Sequence, residues 1–547
     1  MKNMKKALAL ALASMMLLLL FAGCGSKTET SPEPATETKN VTEETKTETV
    51  ETGKRTKVTV GMSDNVGSLT PCAKLNFYSV AILGEVFEHL GEYVGTEFTG
   101  VLMKNWVAED DVTYQIELYD YIFDSEGNPF TSEDVKYSVE KLNATGVAQA
   151  TYVESVDVID ATHFTLKLSK SGVGVFEEFC QHCWMFTQEA MEASPDDMAT
   201  APVGTGPYVL TDFVSASHAN LEKRDDYWQK EELTPRCSQA NVDVIECVIL
   251  KEATQMAVAL QNGTIQIGFW LNNSIIDQVS SMPNVVTNSS PILGMRSMIF
   301  NCSENSIFGG ENGKLLRQAV CYAINEQAVV DAGLGGFGTV AKTFGKAGTA
   351  GYNEAWEDGD YYSYNPEKAK ELMAEAGYPD GFSFKFWSID NSWSRNYMQV
   401  VQANCGAIGI TVELEFKPDN VNAKILADCK SGWDVYNNSA AGGTGFQVSQ
   451  FNYFCDATMR SSGLNLCGLN DAKLQSLVSA ASALTWTQED VDAYHDYIVD
   501  NALIYTPFES TSAEAHVAEI EDVYINWRKD LRIGCSIFSE DYAYYAD

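Results

Sequence analysis

Cys180-Gln181-His182-Cys183 is the run in this chain best spaced for redox or metal chemistry. A CxxC pair can cycle between dithiol and disulfide, and thiolates with an imidazole can hold zinc. Neither use has the rest of its equipment. No second Cys/His pair follows at zinc-finger spacing, and the remaining histidines stand singly. Core packing or a local disulfide is therefore the expectation for the pair. Val203-Gly204-Thr205-Gly206-Pro207 is a glycine turn without the lysine or the following helix of a phosphate cradle. There is no H-E-x-x-H and no G-x-S-x-G, so no nucleophile–base pair is legible. The sequence predicts no catalytic residue, no metal and no cofactor. Cys247, Cys302 and Cys321 lie in apolar stretches, where a thiol packs as a small hydrophobe.

The elements that position these residues read as α/β. Lys57–Met62 alternates like a strand, and the Gly67–Pro71 turn leads to an amphipathic helix over Tyr78–His89. A strand over 112–122 is followed by a helix that Thr131 or Ser132 caps, with Glu133 and Asp134 at the positive end of its dipole. Residues 242–250, 252–262 and 265–267 read as strand, helix, strand, a βαβ crossover with parallel pairing. Further on come a helix over 315–332, a helix over 366–376 capped by Asn365 and closed by Gly377, and a strand over 382–387. A helix over 394–408, a strand over 411–416 and a helix over 421–429 complete the reading. The pattern implies two separately cored lobes with loops facing between them.

The chain has 547 residues, 45% hydrophobic and 20% charged, which suffices for large cores. Its 75 acidic against 37 basic residues give a net charge of −38. Such a surface repels nucleic acid, so nucleic-acid binding is excluded as a function. Lys2, Lys5 and Lys6 precede an apolar run, Ala7–Phe21, too short to span a bilayer. Ala22-Gly23-Cys24 closes that run and resembles the lipobox of bacterial lipoproteins, with Phe21 where leucine is usual. The implied arrangement is a signal peptide over 1–23, lipid on Cys24, and a Ser/Thr/Glu-rich tether over 24–56 with too little apolar surface to fold. The folded body is then a monomer held at the outer face of the cell membrane, at the cell surface or in the periplasm.

Six segments in order resemble one family: GNPFTSEDVKYSVEKL (127–142), PVGTGPYVL (202–210), RDDYW (224–228), LLRQAVCYAIN (315–325), NPEKAKELMAEAGY (365–378) and GITVELEF (409–416). They are similar to the family 5 solute-binding proteins of ABC transporters, the dipeptide, oligopeptide and nickel receptors. The resemblance implies a two-lobed periplasmic-binding-protein-like α/β fold (class II, cluster C type) with an extra small domain and a central ligand cleft. Lobe I would hold 57–95, 200–300 and 505–547, domain II 96–199, and lobe III 301–504. The hinge would run through Ile299-Phe300-Asn301 and Ile504-Tyr505-Thr506. The implied partners are a small solute, peptide or peptide-like, and an ABC permease. An oligosaccharide or metal chelate as ligand, and a non-transport sensor or adhesin, are the alternatives.

Within that family Asp134 and Arg317 read as capping or bridging residues, and the ligand contacts belong to the irregular loops. Asn76, Phe77 and Tyr78 are the lobe I candidates. Trp387 and Trp393 could stack on a flat group, and Arg395 stands where peptide receptors use a base for the ligand carboxylate. After the Gly432-Trp433-Asp434 strand those receptors place an aspartate for the ligand's amino group. Here Asn437 through Gly445 contains no acid. The anchor is therefore missing or supplied by another loop, and Asn437 and Asn438 suit a neutral, hydroxyl- or amide-rich ligand.

Overall fold

A computed structural model describes residues 54–546, apart from 74, 96, 272, 292–294, 311, 335–337, 391, 418–431, 441–444, 459–466, 510 and 527–529. Cys24, the signal peptide and most of the tether lie outside the described residues, as does the helix expected over 421–429.

Ten strands carry the functional argument: β1 (Lys57–Met62), β2 (Val244–Ile249), β3 (Ile267–Leu271), β4 (Val285–Pro291), β5 (Met295–Phe300), β6 (Ser383–Ile389), β7 (Thr411–Lys417), β8 (Val435–Ala440), β9 (Ile504–Tyr505) and β10 (Thr511–Val517). A seven-stranded sheet runs β4-β10-β3-β1-β2 and ends in the hairpin strands His218–Lys223 and Tyr208–Val214. β1 pairs in parallel with both β2 and β3, and helix Ala253–Gln261 makes the crossover between those two. That is the expected βαβ unit, with β1 inserted at its centre. A five-stranded sheet runs β7-β6-β8-β5-β9, with β6 parallel to β7 and β8. A four-stranded antiparallel sheet lies within residues 103–168.

Two large cores share no residue. One runs from Met298 to Phe508 around the five-stranded sheet. The other joins the seven-stranded and four-stranded sheets. Sheet membership places β5 with the C-terminal core, so the chain passes between sheets at 291–295 rather than after Phe300. It returns at 505–511, because β9 pairs with β5 while β10 pairs with β3 and β4.

Local signals act as their chemistry dictates. Thr131 and Asp134 form a reciprocal capping box on helix Ser132–Thr145. Asn365 accepts from the Lys368 amide, Pro366 opens the helix, and Gly377 closes it with φ 89°. The helix expected over 315–332 is interrupted: Gly313–Ala323 stops, and Asn325 caps a new start by accepting from the Ala328 amide. The first and last described segments meet at the amino end of β1. Thr56 bridges Tyr545, the Lys57 amide donates to Tyr544 O at 2.9 Å, and the Ala546 amide donates to Arg55 O.

The conspicuous sequence motifs form one buried structural knot. Gly204 and Gly206 pack against the backbone at the end of helix α1 (Phe77–Val86), where a Cβ would lie 2.3 Å and 2.6 Å from carbonyl oxygens of Val86 and Glu85. The Arg224 guanidinium donates to Asp124 O at 3.0 Å and to the carbonyls of Gly204, Thr205 and Gly206 at 3.3–3.5 Å. Tyr227 and Trp228 donate to the buried Glu88 carboxylate at 2.7 and 2.8 Å. The glycine turn is thus a close-packing device, which the sequence did not indicate.

Candidate functional site

Registers decide which ends of the two main sheets face each other. β10 begins at the crossing, with Thr511 opposite Pro291 and Ala513 opposite Leu271, so the carboxyl end of β3, and of its parallel neighbour β1, points at the crossing. β5 also begins there, with Met295 opposite Ala440, so β8 and its parallel neighbours β6 and β7 end at the same place. Carboxyl ends of parallel strands, where the order reverses, are where open α/β sheets bind ligands. The two paired strands β5 and β9 bound the space between, and Ser297 Oγ and Thr506 Oγ1 lie 2.6 Å apart beside them.

On the wall built by β1 and β3, Phe77 and Trp270 stack with ring centroids 4.2 Å apart and planes 21° from parallel. Phe77 is 43% exposed. Trp270 holds φ +56°, a left-handed backbone that a bulky side chain adopts only at an energetic cost of about 1–3 kcal/mol. Its carbonyl accepts from Ser63 Oγ, which lies 2.7 Å from the Tyr78 hydroxyl. Burial raises the Tyr78 phenol above its ordinary range, so it stays protonated. Asn76 spends its side chain on the fold, capping α1 by accepting from the Ser79 amide and donating to Asn65 O. It holds Phe77 and Tyr78 in place rather than offering a free amide.

The opposite wall is built by β6, β7, β8 and helix α2 (Ser392–Gly406). Ser388 Oγ donates to Ser394 Oγ at 2.9 Å, and Asn437 Nδ2 donates to Ser388 Oγ at 3.1 Å. Asn437 is buried, and its Oδ1 has no partner among the described residues. Trp387 pairs in register with Tyr436, so strand alternation puts it on the sheet face opposite Asn437. Lys417 Nζ sits 4.5 Å over the Trp387 ring, whose Nε1 is buried without a partner among the described residues. Arg395 already has partners. It is ion-paired with Asp390 at 2.6 Å and lies over the Phe416 ring, with its side chain 47% exposed. Its charge is already met at the surface. Trp393 and Asn438 lie on α2 and β8, and their side chains fall outside the described residues.

Sequence reasoning missed Ser63, Trp270, Ser388, Ser394 and Lys417. Only Trp270 carried a signal, an aromatic residue at the end of the βαβ unit; the others are defined by register. The Cys180-His182-Cys183 run is not a chemical site. Both cysteines are fully buried, and burial pushes the Cys180 thiol well above its usual range, which keeps it from reacting as thiolate. Among the described residues no group of three or more His, Cys, Asp or Glu is placed to hold a metal ion, and no helix is long and apolar enough to cross a membrane.

Comparison with known proteins agrees with this fold. The glutathione-binding protein GsiB of Salmonella paratyphi A is 26% identical over 367 residues, covering 65% of this chain and 69% of that protein. The substrate-binding protein CtaP of Listeria monocytogenes superposes with a TM-score of 0.73 at 20% identity, covering 89% of this chain and all of CtaP. DppA of Helicobacter pylori, solved with the peptide STSA, gives a TM-score of 0.72 at 19% identity over 89% of this chain and 99% of DppA. The family model for bacterial extracellular solute-binding proteins, family 5, matches residues 97–462, and the chain belongs to that family.

Proposed function

We propose that the protein is a lipid-anchored, extracytoplasmic receptor of an ABC importer that captures a peptide or peptide-like solute between its two walls and delivers it to a membrane permease. The observation that carries this reading is the pair of facing strand ends. One presents the Phe77–Trp270 stack, and the other presents Asn437 Oδ1, a buried polar atom with no partner among the described residues, beside the Ser388 and Ser394 hydroxyls. An unmet buried polar atom is costly, and a ligand that supplies the partner recovers that cost. Apolar plates combined with a few convergent polar groups are the make-up of a small-solute site. The glutathione-binding and peptide-bound relatives support a peptide-like ligand. Closure about the paired crossings β5 and β9 would bury it, a hinge motion.

In this reading lobe I and domain II share one core and lobe III has the other, the boundaries between them fall at the two crossings, and Cys24 carries the lipid. A thermal-shift screen of the chain after Cys24 tests it with di- to pentapeptides, glutathione, oligosaccharides and nickel chelates. At about a hundred times its Kd a ligand adds roughly 2.7 kcal/mol, a shift of a few degrees. A peptide or glutathione hit is expected. A response to sugars or chelates with peptides silent would move the protein to a different solute on the same fold.

A further inference from the structure

The two large cores also touch outside the crossings, through one short turn. Val175 and Phe176, at the start of helix Val175–His182, belong to the core of the seven- and four-stranded sheets. Val173, two residues earlier, packs instead against the core around the five-stranded sheet. Its amide donates to Ser482 O at 3.1 Å. The glycines on either side let the chain come this close. Gly172 and Gly174 hold φ +152° and +78°, and a Cβ on Gly174 would lie 2.7 Å from the Phe446 ring. Tyr93 makes a second approach to the same stretch, since a Cβ on Gly445 would lie 3.5 Å from its ring.

The receiving side is built as a socket. Two backbone bonds tie the neighbours of Phe446 to Ala350: the Ala350 amide donates to Gly445 O at 2.6 Å, and the Gln447 amide donates to Ala350 O at 2.8 Å. Ser482 ends helix Ala472–Ser482, and its Oγ accepts from Asn452 Nδ2 at 2.8 Å. Val448 and Phe451 on helix Gln447–Cys455, and Val478 and Ala481 on helix Ala472–Ser482, are buried in the C-terminal core. Plug and socket are therefore each fixed to a different core, and the chain passes between those cores at 291–295 and 505–511. A rotation about these crossings that parts the cores has to break the Val173–Ser482 hydrogen bond and withdraw Val173 from its contacts. One hydrogen bond and one half-buried valine are enough to bias such an equilibrium and too little to weld it shut.

We infer that the Gly172-Val173-Gly174 turn is a closure latch, which sets the fraction of empty protein that stands closed and so scales the affinity for whatever solute is taken. This rests on the proposed receptor function and its closure about β5 and β9, but assigns the bias to residues outside the two facing strand ends.

The test compares the chain after Cys24 with its Val173→Asp and Val173→Ala variants. Small-angle scattering and amide hydrogen exchange are measured on the empty proteins, and calorimetric titration uses glutathione and the peptide STSA. In Val173→Asp the radius of gyration should rise, and exchange should speed about tenfold in segments 172–176 and 446–450 together, while β1, β3, β5 and β6 keep their protection. Affinity should fall by one common factor, about tenfold, for each solute that the unsubstituted protein binds, and by less in Val173→Ala. An unchanged radius with unchanged exchange at 446–450 overturns the inference. Losses that differ from one solute to the other also overturn it, because they mark a direct ligand contact. Faster exchange throughout both cores in Val173→Asp is a folding defect, and Val173→Ala then decides by the same readouts. Silence of both solutes toward the unsubstituted protein counts against the receptor reading alone, and scattering and exchange on the empty proteins still decide the latch.

Discussion

Phe77 and Trp270 set the clearest residue-scale expectation. Phe77 is exposed enough that Phe77→Ala should change the melting temperature little, whereas ligand affinity should fall several-fold as the stack is lost. Calorimetric titration beside a melting curve separates the two effects. A second expectation concerns two buried carboxylates beside Arg532. Burial alone would raise Glu92, but Arg532 at 2.7 Å, His89 and Asn526 outweigh it and hold the group down to about 2 from 4.5. Its stabilising contribution is therefore complete above pH 4.5 and lost as pH falls toward 2. Glu85 works in the opposite sense. Burial pushes it up to about 7 against the opposing pull of Arg532, so the folded state binds the extra proton and stability declines as pH rises from 4.5 to about 7. Melting temperature followed from pH 2 to 8 should show both limbs. Glu92→Gln should flatten the acid limb while lowering stability at neutral pH, because Arg532 loses its partner, and Glu85→Gln should flatten the upper one.

Elements differ in how far their own residues explain them. The cap at Thr131 and the Asn365-Pro366…Gly377 helix are legible because donor, acceptor and turn lie within a few residues of each other. The break at Asn325 was equally local, but the apolar run through Leu315–Val330 masked it. The glycine turn 203–207 could be read only as not binding phosphate, since its partners, the end of α1 and Arg224, come from distant parts of the chain. Trp270 had no signature for its left-handed backbone, which non-glycine residues rarely adopt. The pairing of Arg395 with Asp390 had no signature in the sequence. At this scale Gly206→Ala and Arg224→Met should each destabilise the fold by about 2–4 kcal/mol. The first forces Glu85 and Val86 backbone apart, and the second leaves buried carbonyls unpaired. Both should lower the melting temperature by a few degrees while the remaining folded fraction binds ligand with unchanged Kd.

The whole molecule is organised around the two crossings, and its sheet order could not be read from hydrophobic periodicity. Strand existence is a local property, whereas the insertion of β1 between β2 and β3, and the transfer of β5 to the second core, are set by pairings hundreds of residues apart. Small-angle scattering should show a smaller radius of gyration with saturating ligand than without, and an unchanged radius would remove closure from the mechanism. Cys24→Ala should move the protein from the membrane fraction to the soluble fraction, with ligand affinity intact. The meeting of the first and last described segments bears on how such experiments are mounted. Arg55 and Ala546 are joined at the amino end of β1, and that strand then runs about 20 Å to Ser63 and the stacked rings. A biotin or a fluorescent partner attached after Ala546 is thus moored a strand's length from the stacked rings, so a receptor captured through its carboxyl end keeps the proposed ligand site clear of the surface.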